Sequence, residues 1–356
     1  MSTFNQPAGE LRLFKYHALG NSYLILDPRD WQNEPELIET RGGVPQPASR
    51  LVRTLCDECW GIGSNGLLFG PIAPTGAGHF QLRIINSDGT PAGFSGNGVR
   101  IFAEYLRDAG YARTGERFNV EIIEDAPSGN ATRNFAPVHL VGGDDLRIDV
   151  TIPQAPRFGM AAIAANAQLV HANDAAASRT GISFTVAPLA AIGSRLTGRT
   201  DAWPSSTLLD IGNPHCVTFL DSKEPLPDLA TLHAADDALR SIAFRPDNTR
   251  RDQAAFANGS NLQWARVRDR AHVELMIYER GEGPTMASGS SASAAASAAF
   301  ARGLVDAKVD VIMPGGTLTI RIDGTSDRIS AVTLSGFATR VLDGKVDRRA
   351  LAVRRD

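Results

Sequence analysis

Ser95-Gly96-Asn97-Gly98-Val99-Arg100-Ile101-Phe102-Ala103-Glu104-Tyr105-Leu106 and Ser288-Gly289-Ser290-Ser291-Ala292 are the stretches whose reading decides the fold. Each is a glycine-bearing turn that runs straight into a helix, the first of them amphipathic, and the second begins 193 residues after the first. The same signals recur around both. Gly20-Asn21, after one strand and before another, returns as Gly212-Asn213, 192 residues on. Asn86-Ser87-Asp88-Gly89, ahead of Ser95, returns as Glu279-Arg280-Gly281, ahead of Ser288. The Asn65 region echoes at Asn261, 196 residues on. Three matches at nearly one offset and in one order imply a duplicated architecture. The plainer alternative is that Gly-Asn and Ser-Gly turns are common and coincide. The offset is too long for a solenoid, so two similar lobes meeting at a cleft are the expectation.

Working outward, runs that alternate or are rich in β-branched and aromatic residues read as strands at Leu11–Tyr16, Tyr23–Asp27, Phe80–Ile85, Cys216–Leu220, His272–Tyr278 and Thr317–Ile322. Helices read at Ala48–Cys59, Val99–Ala109 and Ala292–Arg302. Ala73–Gly78, Ala126–Ala136, Ala161–Thr200 and Ala234–Gly259 read as loops, the third with mixed signals in which a helix and a strand remain unplaced. The lobes are expected over 1–145, with 335–356 returning to it, and over 146–334.

A helix start presents N–H groups without intrahelical partners and carries partial positive charge. Glycine there lets an anion approach the backbone. Gly96 and Asn97 in one lobe, with Gly289 and Ser290 in the other, are therefore candidates to hold one carboxylate. Taken singly, Ser95 and Ser288 are equally well read as ordinary N-caps, a position serine favours.

Composition narrows the partners. The 356 residues are 43% hydrophobic and 21% charged, ordinary for globular chains. The formal net charge is -3, which leaves no basic excess to neutralise phosphates, so nucleic acid is not expected. No run approaches the length of a membrane span and Met1–Leu11 lacks an apolar signal core, so a cytoplasmic protein off the membrane is expected. Three cysteines imply no disulfide framework. Cys56 and Cys59 have redox spacing but no second half-site, and read as buried thiols. Gly281-Glu282-Gly283 lacks the Gly-Lys-Ser/Thr that a nucleotide P-loop needs.

The motifs in sequence resemble those of the diaminopimelate epimerase family. Phe14-Lys15-Tyr16-His17-Ala18-Leu19-Gly20-Asn21-Ser22-Tyr23 looks like its opening motif. Gly61-Ile62-Gly63-Ser64-Asn65-Gly66 resembles its second glycine motif, with Asn65 where Asp is usual. Asn86-Ser87-Asp88-Gly89-Thr90, Gly212-Asn213-Pro214-His215, Tyr278-Glu279-Arg280-Gly281-Glu282-Gly283-Pro284-Thr285 and Pro314-Gly315-Gly316 complete the set in order. The resemblance implies an α+β fold of two similar lobes, each a mostly antiparallel sheet wrapped around a central helix, with the active site in the interlobe cleft. It implies a cofactor-free isomerase in which two cysteines, one removing and one returning the α-proton, flank the substrate, with no pyridoxal phosphate and no metal. The unplaced loops would be insertions.

At the two cysteine positions this chain has Ser95 and Ser288, and Ser293 stands where a further, non-catalytic cysteine is often found. A thiol has a pKa of about 8.5 and falls lower at a helix start. A serine hydroxyl needs an adjacent base before it can act. By resemblance His215 and Glu279 lie near the reacting centre and are candidates for that base; a turn histidine and an ordinary salt bridge are the plainer readings. Asn86, Asn213, Asn261 and Arg280 match residues that grip the distal end of the amino acid, and Asn21 and Asn97 match residues near the reacting end. The rival reading is that the asparagines hold turns. The expected partner is a small amino acid with a carboxylate; a homodimer stays open. The chemistry is then epimerisation, or elimination, cyclisation or a double-bond shift from the same carbanion. The alternatives are a catalytically inactive amino-acid-binding homologue and an engineered inactive variant.

Overall fold

The computed structural model describes residues 10–351 apart from 32, 33, 35, 73–77, 126–130, 143–145, 173–181, 245 and 247–250. The chain divides into two compact units, the first running to Val150 and resuming at Phe337, the second spanning Thr151–Gly336.

In the first unit the strand Glu10–Ala18 pairs antiparallel with Asn21–Leu26 on one side and with Thr339–Asp347 on the other. Asn21–Leu26 then runs parallel to Gly66–Phe69, which pairs antiparallel with His79–Asn86. His79–Asn86 runs parallel to Arg117–Asp125, which pairs antiparallel with Ala131–Leu140, and that strand with Ile148–Thr151. The helix Gly96–Asp108 lies against Glu10–Ala18, Asn21–Leu26, Ala131–Leu140 and Thr339–Asp347.

The second unit repeats the pattern. Ser206–Asp210 pairs antiparallel with Pro214–Leu220, which runs parallel to Asn261–Asp269. That strand pairs antiparallel with His272–Glu279, itself parallel to Lys308–Met313. Gly316–Thr325 and Arg328–Gly336 close the order, both antiparallel. Strand for strand, the alternation of parallel and antiparallel neighbours is that of the first unit. The helix Gly289–Ala301 lies against all seven of these strands.

Both central helices begin three residues before the sequence predicts, because Gly96-Asn97-Gly98 and Gly289-Ser290-Ser291 are their first turns. Each ends before a glycine of positive φ, Gly110 at 76° and Gly303 at 72°, where a side chain would be strained. The amphipathic pattern of the first helix does not give it a wet face: from Gly96 to Leu106 every residue is buried, Arg100 and Glu104 included. The second is built almost wholly of alanine, serine and glycine and is buried from Gly289 to Ala299. Small side chains on every side of that helix let strands approach it all round.

Other expectations change as well. Ala131–Leu140 is a strand where the sequence reads partly as loop; 126–130 lie outside the described residues, as do 73–77. The stretches read as loops in the second unit carry helices at Ala187–Ala191, Gly193–Thr197 and Asp236–Ala243, and strands at Val170–Ala172 and Ser183–Val186. Leu189, Leu196, Leu239 and Ile242 from these helices pack with Cys216, Leu262, Trp264 and Tyr278 of the sheet. Alternate strand residues point to opposite faces, so this layer covers one face and leaves the other to the central helix. In the first unit the helix ends at Cys56, where the Asp57 carboxylate accepts from the amides of Cys59 and Trp60, each at 2.8 Å. Cys59 is therefore exposed rather than buried, and only Cys56 lies in the core, its thiol pushed up by burial to about 12. Among the described residues no helix is long and apolar enough to cross a membrane.

Enlarging a side chain on the second helix tests this packing. Ala296 is fully buried. Ala296→Leu should lower stability by about 1–3 kcal/mol, the usual cost of overfilling a packed core, read as a lower urea midpoint at unchanged slope. An unchanged midpoint would mean that the sheet does not grip the helix.

Candidate active site

Each unit carries a candidate site at the start of its helix, and the two are built alike. Ser95 has φ −136° and ψ 114°, Ser288 φ −142° and ψ 126°, both extended N-cap conformations. Ser95 Oγ accepts from Gly98 N–H at 3.0 Å, and Ser288 Oγ from Ser291 N–H at 3.3 Å. Both serines are thus N-caps, as the plainer reading had it. Capping uses the oxygen's lone pairs and leaves the hydroxyl proton available. The two differ in the group that lies beside each hydroxyl.

In the second unit that group is Glu279. It ends the strand His272–Glu279, close enough to Ser288 for the serine hydroxyl to act on its carboxyl. Burial pushes its pKa up to about 7, the Ser288 hydroxyl pulls the other way, and Glu282 adds to the rise. A carboxyl with a pKa near neutrality exchanges its proton readily at physiological pH. Ser290 Oγ lies 3.3 Å from Ser288 Oγ, and Gly289 opens the helix.

His215 is placed differently. It is fully buried in the strand Pro214–Leu220 on the helix-facing side. Its Nδ1 lies 2.9 Å from Gln263 Nε2, and Gln263 Nε2 also donates to Ser291 Oγ at 3.0 Å. Its Nε2 lies 2.8 Å from Asn213 Oδ1. With the amides so oriented the ring is neutral, carries its proton on Nε2 and donates to Asn213. Burial, with the positive charge of Arg280, drives its pKa down to about 3 against the opposing Gln263 hydrogen bond. Both ring nitrogens are occupied, an arrangement that orients Asn213 rather than one that takes up protons.

Asn213 and Arg280 line an open pocket of about 530 Å³ in the second unit, together with Arg157, Asp210, Pro214 and Asn258. Arg157 is paired with Asp210 at 3.2 Å, and Arg280 Nη1 donates to the Asn258 carbonyl at 2.9 Å. Asn261 is buried. Its Nδ2 donates to the Pro214 carbonyl at 3.0 Å and its Oδ1 accepts from Arg280 N–H at 2.8 Å. It ties the two arms of the pocket together.

In the first unit Asn86, at the strand position that Glu279 holds in the second, donates to Thr90 Oγ1 at 3.0 Å within its own turn. Asn97 Oδ1 accepts from the buried Arg100 at 2.5 Å, and Asn97 Nδ2 reaches Asn21 Oδ1 at 3.4 Å. Asn21, Ser95, Gly96 and Asn97 are thus gathered at one helix start. The Ser95 hydroxyl oxygen also accepts from Tyr23 Oη at 3.2 Å.

The sequence reading missed Tyr23 and Gln263 as working parts. It also matched Asn261 to Asn65, whereas the sheets align Asn261 with Gly66: Tyr23 faces Gly66 and His215 faces Asn261 in the same parallel pairing. The repeat already contained the signal, since Tyr23 and His215 both follow the Gly-Asn turn by two residues. Among the described residues no group of three or more His, Cys, Asp or Glu is arranged to hold a metal ion.

Twin sheets around buried helices, each helix opened by a serine and one of those serines backed by an acid poised at neutrality, place this chain with the isomerases that need no pyridoxal phosphate. It belongs to the diaminopimelate epimerase family, whose sequence pattern matches residues 13–125 and 207–339. Diaminopimelate epimerase 2 of a Nostoc species is 29% identical over 353 residues, covering 96% of this chain and 98% of the relative. The diaminopimelate epimerase of Xanthomonas euvesicatoria pv. vesicatoria is 32% identical over 341 residues, covering 96% and 98%. A phenazine biosynthesis protein of the PhzF family from Bacillus anthracis has the same fold, with a TM-score of 0.55 at 15% identity over 95% of this chain and 99% of that one. The function is of the epimerase-like isomerase class.

Glu279 gives its site a thermodynamic signature. Its folded pKa, about 7, lies above its ordinary 4.5, so the folded state holds the proton more tightly than the unfolded chain. Stability conferred by the protonated acid is therefore complete below the ordinary value and is lost as pH rises through the folded one. Glu279→Gln should raise the thermal midpoint by a few degrees at about pH 8 and leave it unchanged near pH 4.5. Equal effects at both would show that Glu279 titrates as an exposed acid.

Proposed function

We propose that this protein moves a proton at the α-carbon of an amino acid, with Glu279 as the base, acting directly or through Ser288. The observation that carries this reading is the Ser288–Glu279 pair: a hydroxyl too weakly acidic to act alone, beside a carboxyl held near pKa 7. The helix start at Gly289 and Ser290, by its partial positive charge, would stabilise the α-carboxylate as the carbanion forms. Arg280, Arg157 and Asn213 around their pocket are suited to a second, distal carboxylate. Ser95, at the helix start in the first unit, is the second candidate for handling a proton. His215 and Asn261 position Asn213 and the pocket walls.

The two sites differ in a way that also favours chemistry other than epimerisation. Glu279 supplies a carboxyl in one unit, while its counterpart Asn86 supplies an amide that cannot accept a proton at neutral pH. One base and one donor suit carbanion formation followed by protonation, elimination or a double-bond shift as well as they suit epimerisation.

The test is incubation with L- and D-amino acids carrying one or two carboxylates, in deuterated water. The expected result is wash-in of α-deuterium, with a rate that rises with pH through about 7 as Glu279 ionises. Glu279→Gln should slow it by about a hundredfold or more, the usual contribution of a general base. Ser95→Cys with Ser288→Cys should raise exchange of the epimerase type, because thiols need no helper to act. Tight binding of an amino acid with no wash-in would replace the enzyme reading with that of an amino-acid-binding homologue.

A further inference from the structure

Tyr23 is buried in the strand Asn21–Leu26, and its hydroxyl donates to Ser95 Oγ at 3.2 Å across 72 residues of sequence. The ring reaches that place because the neighbouring strand carries no side chain opposite it. Tyr23 is in register with Gly66, where an added Cβ would fall 2.8 Å from Tyr23 Cε1 and 2.6 Å from the Ile85 carbonyl oxygen. In the second unit the equivalent pair is His215 and Asn261, and there the ring is turned to Asn213 and Gln263 instead. The phenol therefore belongs to the Ser95 site alone.

Ser95 Oγ accepts two hydrogen bonds, from Gly98 N–H at 3.0 Å and from Tyr23 Oη. An oxygen with both lone pairs so engaged has only its own proton left to offer. Two donors stabilise the alkoxide more than the alcohol, so they make that proton easier to release. Arg100, buried two residues from Gly98 and joined to Asn97, adds positive charge at the same helix start.

We propose that Tyr23 is a positioning residue that makes Ser95 the proton donor of the reaction, holding the serine oxygen as a double acceptor and stabilising the alkoxide. In the step itself the electron pair of the carbanion takes the Ser95 proton and becomes the new α-carbon–hydrogen bond, the Ser95 O–H bond breaks, and its bonding pair stays on Ser95 Oγ as the alkoxide. Water then returns a proton to the alkoxide. This rests on the proposed function for the substrate, but not for the hydrogen bond, and the two can fail separately.

The direct readout replaces the serine proton with one that can be titrated. In a Ser95→Cys protein whose exposed Cys59 is changed to Ser, the rate of alkylation by iodoacetamide against pH reports the thiol at 95. Adding Tyr23→Phe should move that profile up by about one pH unit, so the thiolate fraction at pH 7 falls about tenfold. In the Ser95 protein, Tyr23→Phe should lower the turnover number of α-deuterium wash-in about tenfold with KM held. A ring that served only to fill space would leave both unchanged, since phenylalanine fills it as well. An unmoved alkylation profile overturns the proposal, as does an unmoved turnover number in a protein that turns over. Absence of wash-in in the unaltered protein would overturn the proposed function, with the alkylation profile still deciding the role of Tyr23.

Discussion

A serine hydroxyl that caps a buried helix has already given its oxygen to the backbone, and everything chemical in this protein follows from what else touches that oxygen. The cap is the same in both units: an extended serine, an amide three residues on, a helix ringed by strands. A thiol in that setting would be tuned toward its anion by the helix start and would need no other partner. A hydroxyl starts several pKa units higher, so its neighbours decide whether it takes a proton, gives one, or does neither. In the second unit the neighbour is an acceptor, Glu279. In the first it is a donor, Tyr23.

That contrast is set by the duplicated sheet as much as by the residues. The same two strand positions face each helix start: one on the parallel pair, held by Tyr23 or His215, and one at the end of the next strand, held by Asn86 or Glu279. Each unit has placed its proton-active group on a different one of the two. The position left over does structural work. His215 orients Asn213 from within the core, and Asn86 closes its own turn. A neutral imidazole with both ring nitrogens hydrogen-bonded is compatible with full burial in a way that an ionised group would not be.

Much of this was legible in the sequence, and the parts that were not share a physical cause. The turns, the helix starts and the duplication are local signals of glycine, serine and periodicity, so the helix starts at Ser95 and Ser288 could be placed without coordinates, and Glu279 came from the resemblance and its nine-residue spacing to Ser288. The cross-strand partners could not. Tyr23 and Ser95 are joined only because Gly66 has no side chain, which is a property of register and not of any short stretch. Burial was misjudged for a related reason. Val99–Leu106 carries Arg100, Glu104 and apolar residues in an amphipathic pattern, yet strands on all sides leave it no wet face. The alanine-rich helix Gly289–Ala301 gave no such pattern and is the more deeply enclosed of the two.

Arg100 shows what that enclosure implies. Its guanidinium is fully buried, donates to Asn97 and to the Phe337 carbonyl, and forms no ion pair among the described residues. Burial alone lowers its pKa to about 9, which still leaves it charged at neutrality. An uncompensated buried cation is costly unless an anion arrives to share its field. The first helix start thus has positive charge, the dipole of its helix and two donors on one serine oxygen, all of which favour the state in which Ser95 has lost its proton. The second helix start has a carboxyl whose protonated form burial favours. The two helix starts thus favour opposite proton states, release at Ser95 and uptake at Glu279.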